Sequence, residues 1–563
     1  MAMTKDEIIL GAGVSLSFVL LCLAHILLLP PYEGFDETAH YSYISILSDR
    51  HEIPDLRLTP LDATVENDRR GLPRPYGAAP SPEMNGGITY SGFFTDVIIS
   101  EREEALRKFW HKPQQPVVYT PDIPARGVNW QGQHPPLYYL LLDLPYRVVR
   151  FWSPGARLLL LRLCSVFLAC SSLVFWLKTV SLFPSAETRR LLLLVGVSVI
   201  FFPSLFYDLS RLGNDSLMTL LFVASLYFLL STYVHKQERL IDFAKLAFTL
   251  GLGLLTKLFF LPLWGGAILS SLWLGVRITK LGLKPLLLRV LLLVGLPLLL
   301  AGWWFAFFYS RYGMVVGSDE LYAFRSTIPS PPHELTNSQF FAQLFSVAKG
   351  FVTTFLWCGT WSWVRPPRLL YICFLPLFAL TVYGLILFVK DPRQLEKRQI
   401  VTTAGLLCIP LLPGFLYHMY LRVAFTGIGA GTGGYYLFFA WPIIGMFFAF
   451  AFEAPQANSR KLALFAAFLL LLFFDMAGWW RSALVYSGLL RKVGEMSTGV
   501  GWIPPTPANT LLVRERLQTL VFPDEAIILY AAASGLRLAL IMWVIFSHRR
   551  LTDDEKAILR HPL

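Results

Sequence analysis

The residues of this chain best suited to chemistry lie in one short run, Glu33-Gly34-Phe35-Asp36-Glu37-Thr38-Ala39-His40. Two adjacent carboxylates with a histidine beside them can move a proton or hold a cation. Asp36 is the candidate general base, taking the proton of a hydroxyl as a new bond forms. Glu37 is placed to orient that hydroxyl or to hold a cation. The same pair also suits a helix start, because Asp is a good N-cap and Glu favours the first turn. One carboxylate can serve each purpose. His40 stands three residues after Glu37 and would share its helical face. It can hydrogen-bond a carboxylate or join a divalent metal site, but no second histidine clusters with it in sequence, and no metal or other cofactor is expected.

What places this run is the apolar segment before it. Ile8–Leu29 is long enough to cross a bilayer, and Pro30-Pro31 stops it. The acids therefore sit where the chain re-enters water, a depth at which carboxylates are costly unless used. Lys5-Asp6-Glu7 is no positive n-region, and Pro30-Pro31-Tyr32-Glu33 is a poor cleavage site. The segment is expected to be a retained span rather than a signal peptide.

Composition extends the argument to the whole chain: 55% of the residues are apolar. Further apolar segments follow at Gly155–Trp176, Leu191–Tyr207, Ser216–Val234, Phe243–Thr256, Leu258–Val276, Val290–Tyr309, Leu369–Val389, Ile400–Tyr417, Tyr435–Phe452, Leu462–Trp480 and Glu525–Phe546. The fold class is all-α, a polytopic membrane protein with about twelve transmembrane helices. Its formal net charge of +12 does not point to nucleic acid, because the cations fall between spans rather than in one tract. Lys178, Arg189, Arg190, the stretch His235–Arg239, Arg277, Lys280, Lys284, Arg289, Lys390, Arg393, Lys397, Arg398, Arg460, Lys461, Arg549 and Arg550 all fall on one side. That side is cytoplasmic by the positive-inside rule, which puts both termini in the cytoplasm.

Residues 1–563 read as a single transmembrane domain with three long loops on the extracytoplasmic face: 30–135, carrying the acidic pair, 310–368 and 481–524. Loops of this length are usually functional, and small amphipathic helices lying on the membrane surface are expected in them. The six cysteines give no disulfide framework and read as small hydrophobes. No internal repeat is visible.

Other charged residues fall near the same face. Asp215, with Arg211 and Asn214 beside it, opens the Ser216–Val234 span as an N-cap or as support for the acceptor or the base. Lys257 interrupts two apolar segments away from the cytoplasm. Such a lysine either snorkels or binds a lipid phosphate, and phosphate is favoured because two short spans meet there. Arg211 is the next candidate cation, followed by Arg325 and Arg365. Of the tryptophans near span ends, Trp303, Trp304, Trp357, Trp361, Trp363, Trp479 and Trp480, most are interfacial anchors, and one or two are free to stack on a sugar.

The first loop closes on a second marker, Asn129-Trp130-Gln131-Gly132-Gln133-His134-Pro135-Pro136-Leu137-Tyr138-Tyr139, in which the prolines direct His134 towards the acidic pair. Here the sequence resembles the GT-C integral-membrane glycosyltransferases, similar to protein O-mannosyltransferases and lipid A aminoarabinose transferases. The acidic pair after the first span and the HPPLYY stretch carry the resemblance. Ser210–Asp215, Leu254–Lys257 and Gly433-Gly434-Tyr435-Tyr436-Leu437 extend it over most of the first 440 residues. Tyr435 stands where many relatives have arginine, and the region after Leu462 matches nothing in the family.

The resemblance implies transfer of a sugar from a polyprenyl-phosphate donor to a hydroxyl on a lipid, glycan or protein acceptor, outside the cytoplasm and with inversion. A phosphate leaving group needs no general acid; one carboxylate base and cations on the phosphate suffice. Substrate contacts are expected from His40, His134, Arg211, Asn214, Asp215, Lys257 and Tyr435. The short cytoplasmic loops fit a bacterial inner membrane. A transporter or flippase of lipid-linked sugars would also carry about twelve spans, but with charges near the bilayer centre and repeated halves. The two readings part on whether Asp36, Arg211 and Lys257 converge.

Overall fold

The computed structural model describes residues 3–69, 71–73, 88–113, 129–195, 203–236, 239–315, 336–360, 364–426, 433–453, 457–490 and 502–559. Among them every extended element is a helix. The first, Lys5–Leu28, starts on a capping box in which Thr4 and Glu7 satisfy each other's backbone amides. It ends at the diproline.

Among the described residues ten helices are long and apolar enough to cross a membrane: Lys5–Leu28, Pro154–Ser181, Asp215–Val234, Phe260–Ile278, Leu283–Tyr312, Arg368–Lys390, Pro392–Leu421, Gly434–Glu453, Arg460–Tyr486 and Pro523–Ile545. Each matches an expected segment. The other two expected spans take a different form. Phe243–Thr256 lies in a helix of 15 residues, Leu240–Leu254, which stops before the Thr256-Lys257 break. It is about 22 Å long at 1.5 Å per residue, short of the apolar thickness of a bilayer. Of Leu191–Tyr207, the start lies in the helix Ala186–Leu194 and the end in the helix Pro203–Ser210, and residues 196–202 lie outside the described residues.

Asp215–Val234 is the central span, with 72% of its apolar window buried, while Arg368–Lys390 buries 22% and faces outward. The central span packs between Pro154–Ser181 and Leu240–Leu254, and the long C-terminal helix Pro523–Leu559 lies along the first span.

The first loop carries the helices Glu37–Arg50, Ala63–Asp68, Tyr90–Thr95 and Ile99–His111, and it is followed by the helix Leu137–Val149. The last has two unlike apolar faces. Tyr138, Tyr139, Leu142 and Tyr146 are buried, whereas Leu140, Leu144 and Val148 are exposed. The exposed face is that of a helix lying against lipid. In the second loop Phe340–Leu344 belongs to the helix Asn337–Leu356, and the third loop carries Pro507–Leu520.

At the opposite end of the bundle, Glu7 is fully buried against Arg189 at 3.0 Å, and Arg460 meets Glu187 at 2.5 Å. The first span thus runs from one ion-pair cluster to another, and the second one contains Asp36.

Candidate active site

Between Leu28 and Ser48 every residue is buried except Asp36. Its backbone is left-handed, with φ 55 and ψ 10, a conformation Asp tolerates better than most residues but still at a cost of about 1–2 kcal/mol. The residues on both sides hold it there. The Phe35 carbonyl accepts from Arg211 Nη1 at 2.8 Å. Glu37 accepts from Arg162 Nε at 2.8 Å and Nη2 at 2.6 Å, and from the Leu212 amide at 2.9 Å. Arg162 also donates to the carbonyls of Leu29 and Pro30, both at 2.8 Å.

The N-cap expected of Asp36 is realised by position alone. Its side chain makes no capping hydrogen bond, and its Oδ1 accepts from Trp130 Nε1 at 2.9 Å. Glu37 holds a cation, the Arg162 guanidinium, which sequence reasoning passed over. Arg162 lay in plain view as a charge inside an apolar span.

The approach of Arg211 explains Gly34. A Cβ at that position would come within 2.6 Å of the Arg211 Cβ. Arg211 also donates to Asp208 at 2.8 Å and to Asp215 at 2.5 Å, and Lys257 Nζ binds the other oxygen of Asp215. Asp208 did not figure in the sequence reading. The ammonium of Lys257 lies 5.7 Å from the Phe259 ring and 5.9 Å from that of Tyr436. Asp208 and Asp215 thus both pair with Arg211, Lys257 shares Asp215, and the charge of Asp36 also acts on Arg211. Asp215 is the first residue of its helix and Asn214 the cap, yet neither caps it through a side chain.

The second marker docks on this cluster. The Asn129 amide donates to the Ala39 carbonyl and to Ser42 Oγ, both at 3.2 Å, which fixes Trp130 over Asp36. After the diproline, the Leu137 amide donates to Leu255 at 3.0 Å, and Asn214 Nδ2 reaches the Thr256 carbonyl at 3.4 Å. The helix break that carries the buried Lys257 is thereby tied to the second marker and to Asn214. His134 lies parallel to His40 with ring centroids 6.5 Å apart, and His40 Nδ1 pairs with the Tyr139 hydroxyl at 2.9 Å. His40 points away from Glu37 in its bonding, so the two do not act as a pair.

Both imidazoles are held neutral. Burial, and then the nearby Lys257, push His134 down to about 3. Burial and Arg211 push His40 well below the usual histidine range. Tyr435 stacks on Phe35 at 4.7 Å with 10° between the planes, and Cys358 packs beside them. Arg365 donates to Thr353 Oγ1 at 3.1 Å, while Arg325, Trp361 and Trp363 fall outside the described residues. Among the described residues no three His, Cys, Asp or Glu side chains are grouped to hold a metal ion.

Fold and site together define a multi-pass helical membrane protein with a charged cluster where several spans meet the first loop. No family model matches the chain, and no curated protein matches it. Among solved structures it is similar to ArnT from Cupriavidus metallidurans bound to undecaprenyl phosphate, at 14% identity and a TM-score of 0.35, over 74% of this chain and 68% of that one. It is also similar to the same protein in the apo state, at 13% identity and a TM-score of 0.35, over 86% of this chain and 75% of that one.

Proposed function

We propose that this protein is a membrane glycosyltransferase of the GT-C type, with Asp36 as its base. The observation that carries the reading is the state of Asp36, the one partly exposed residue in a buried run, its backbone fixed in a left-handed conformation from both sides. Strain held this firmly belongs to functional positions more often than to structural ones. The motifs Glu33–His40 and His134–Tyr139 support the family reading.

In the proposed reaction a polyprenyl-phosphate sugar enters from the lipid, with its phosphate against Lys257 and Arg211. The acceptor hydroxyl lies against Asp36. The carboxylate takes the hydroxyl proton as the oxygen attacks the anomeric carbon. The bond to the phosphate breaks on the far side, which inverts the centre and leaves polyprenyl phosphate. Lys257 and Arg211 stabilise the charge that develops on that leaving group. Because both histidines are neutral, they can donate or accept hydrogen bonds without adding charge. Glu37 supports the base through its backbone rather than touching substrate. The reading calls on no cofactor, and it places the reaction on the extracytoplasmic face.

The test is transfer of labelled sugar from a polyprenyl-phosphate donor in nanodiscs. Asp36→Asn should keep the wild-type melting temperature and lose transfer, because an amide takes no proton at neutral pH. Near wild-type turnover by Asp36→Asn would refute the assignment. Movement of intact donor across sealed vesicles, with no sugar transferred, would establish the flippase reading instead.

A further inference from the structure

Glu33 stands three residues before the proposed base and is itself wholly buried. Its carboxylate collects hydroxyls from distant parts of the chain. Tyr90, at the start of a first-loop helix, donates to Oε2 at 2.6 Å. Thr360, in the second loop, donates to Oε1 at 2.8 Å. Tyr486, the last residue of the helix Ala457–Tyr486, donates to the Gly359 carbonyl at 2.7 Å and lies 2.8 Å from Thr360 Oγ1. Two separate segments therefore meet on one carboxylate, and a third joins them through Thr360 and Gly359.

The turn they hold is not a relaxed one. Thr360 has φ 119, a region that a β-branched residue avoids and that costs on the order of 1–3 kcal/mol. The same turn lies over the site. Cys358 packs on Phe35 and Tyr435, and its amide donates to Ser204 Oγ at 2.5 Å, on the helix that carries Asp208. A carboxylate accepting two short hydroxyl bonds is among the stronger polar contacts a buried site can make.

We propose that Glu33 is a positioning residue that fastens the strained Cys358–Thr360 turn of the second loop over Phe35, so that this turn forms a removable wall beside Asp36. Its functional meaning rests on Asp36 being the reacting carboxylate. When the two hydroxyl bonds break, the stored strain at Thr360 favours lifting of the turn, which uncovers Phe35 and Tyr435 beside the base.

Cys358 reports on this directly, since it is buried to 1% exposure within the turn, and Cys22, at 0% in the first span, serves as an internal reference. The experiment treats full-length protein in nanodiscs with N-ethylmaleimide and follows each cysteine by peptide mass spectrometry. Thr360→Ala deletes the hydroxyl and keeps a Cβ, so the backbone at this φ stays strained. With Glu33 as the latch, Thr360→Ala and Glu33→Ala both label Cys358 roughly ten- to a hundredfold faster, the effect of losing a charge-assisted hydrogen bond on a local opening. Cys22 stays protected in both, and Thr360→Ser, which keeps the hydroxyl, labels like wild type. Unchanged Cys358 labelling in folded Thr360→Ala overturns the proposal, and so does equal acceleration of Cys358 and Cys22. Because no sugar transfer is measured, failure of the glycosyltransferase reading leaves this outcome unaffected.

Discussion

Lys257 is where the charge balance at the residue scale is decided. It shares Asp215 with Arg211, so a donor phosphate would have to draw both cations partly away from that carboxylate. A lysine kept only to neutralise a buried aspartate and a lysine kept for phosphate therefore predict different double variants. Lys257→Ala should weaken binding of a polyprenyl-phosphate sugar by roughly ten- to a hundredfold, the worth of one charge-assisted contact. Adding Asp215→Asn removes the stranded carboxylate and should restore the melting temperature while leaving donor affinity low. If the double variant binds donor like wild type, Lys257 is a neutralising partner and Arg211 alone meets the phosphate.

The elements of this fold act as brackets for single residues. The 3₁₀ turn Trp130–Gln133 delivers an indole to Asp36, and the gap between the helices ending at Leu254 and starting at Phe260 presents Lys257. Gly34 is the smallest of these brackets. In Gly34→Ala the new methyl would collide with the Arg211 side chain, and that arginine would lose its hold on the Phe35 carbonyl. Transfer should then fall at least tenfold, since misplacement of about 1 Å costs as much or more, and the melting temperature should drop by only a few degrees. Wild-type kinetics in Gly34→Ala would show that Arg211 does not fix the base. Much of this site was legible in the sequence, because short motifs next to span ends name the residues that meet there. Asp36, Arg211, Asp215, Lys257 and both histidines converge as their positions suggested. Arg162 was visible as a charge inside an apolar span, but its pairing with Glu37, 125 positions away, was not legible; nor were Asp208, a carboxylate that looks like ordinary helix polarity, and the latching use of Glu33, whose partner Thr360 is far along the chain. The expected span Phe243–Thr256 proved shorter for a related reason: hydropathy averages over a window, and a break at one lysine disappears in the average.

On the scale of the whole molecule, the bundle runs between two clusters of paired charge, and this has a consequence for how the chain is assembled. The span Pro154–Ser181 brings Arg157 and Arg162 with it, and Arg162 lies about 12 Å along its axis. An arginine deep in a nascent membrane helix opposes insertion by about 2.5–3.5 kcal/mol at the midpoint. The counter-charges are Asp68 for Arg157, at 3.1 Å, and Glu37 for Arg162, and both belong to a loop synthesised earlier. On the proposed topology that loop crosses before the span leaves the translocon, which predicts an ordered biogenesis in which translocation of one segment licenses the next. In cell-free synthesis with membranes, Glu37→Leu with Asp68→Leu should lower the fraction of chains that integrate Pro154–Ser181, and Arg162→Leu should return it. Full integration despite loss of both acids would mean that the helix enters on its apolar weight alone, and that the buried pairs form only after the bundle has closed.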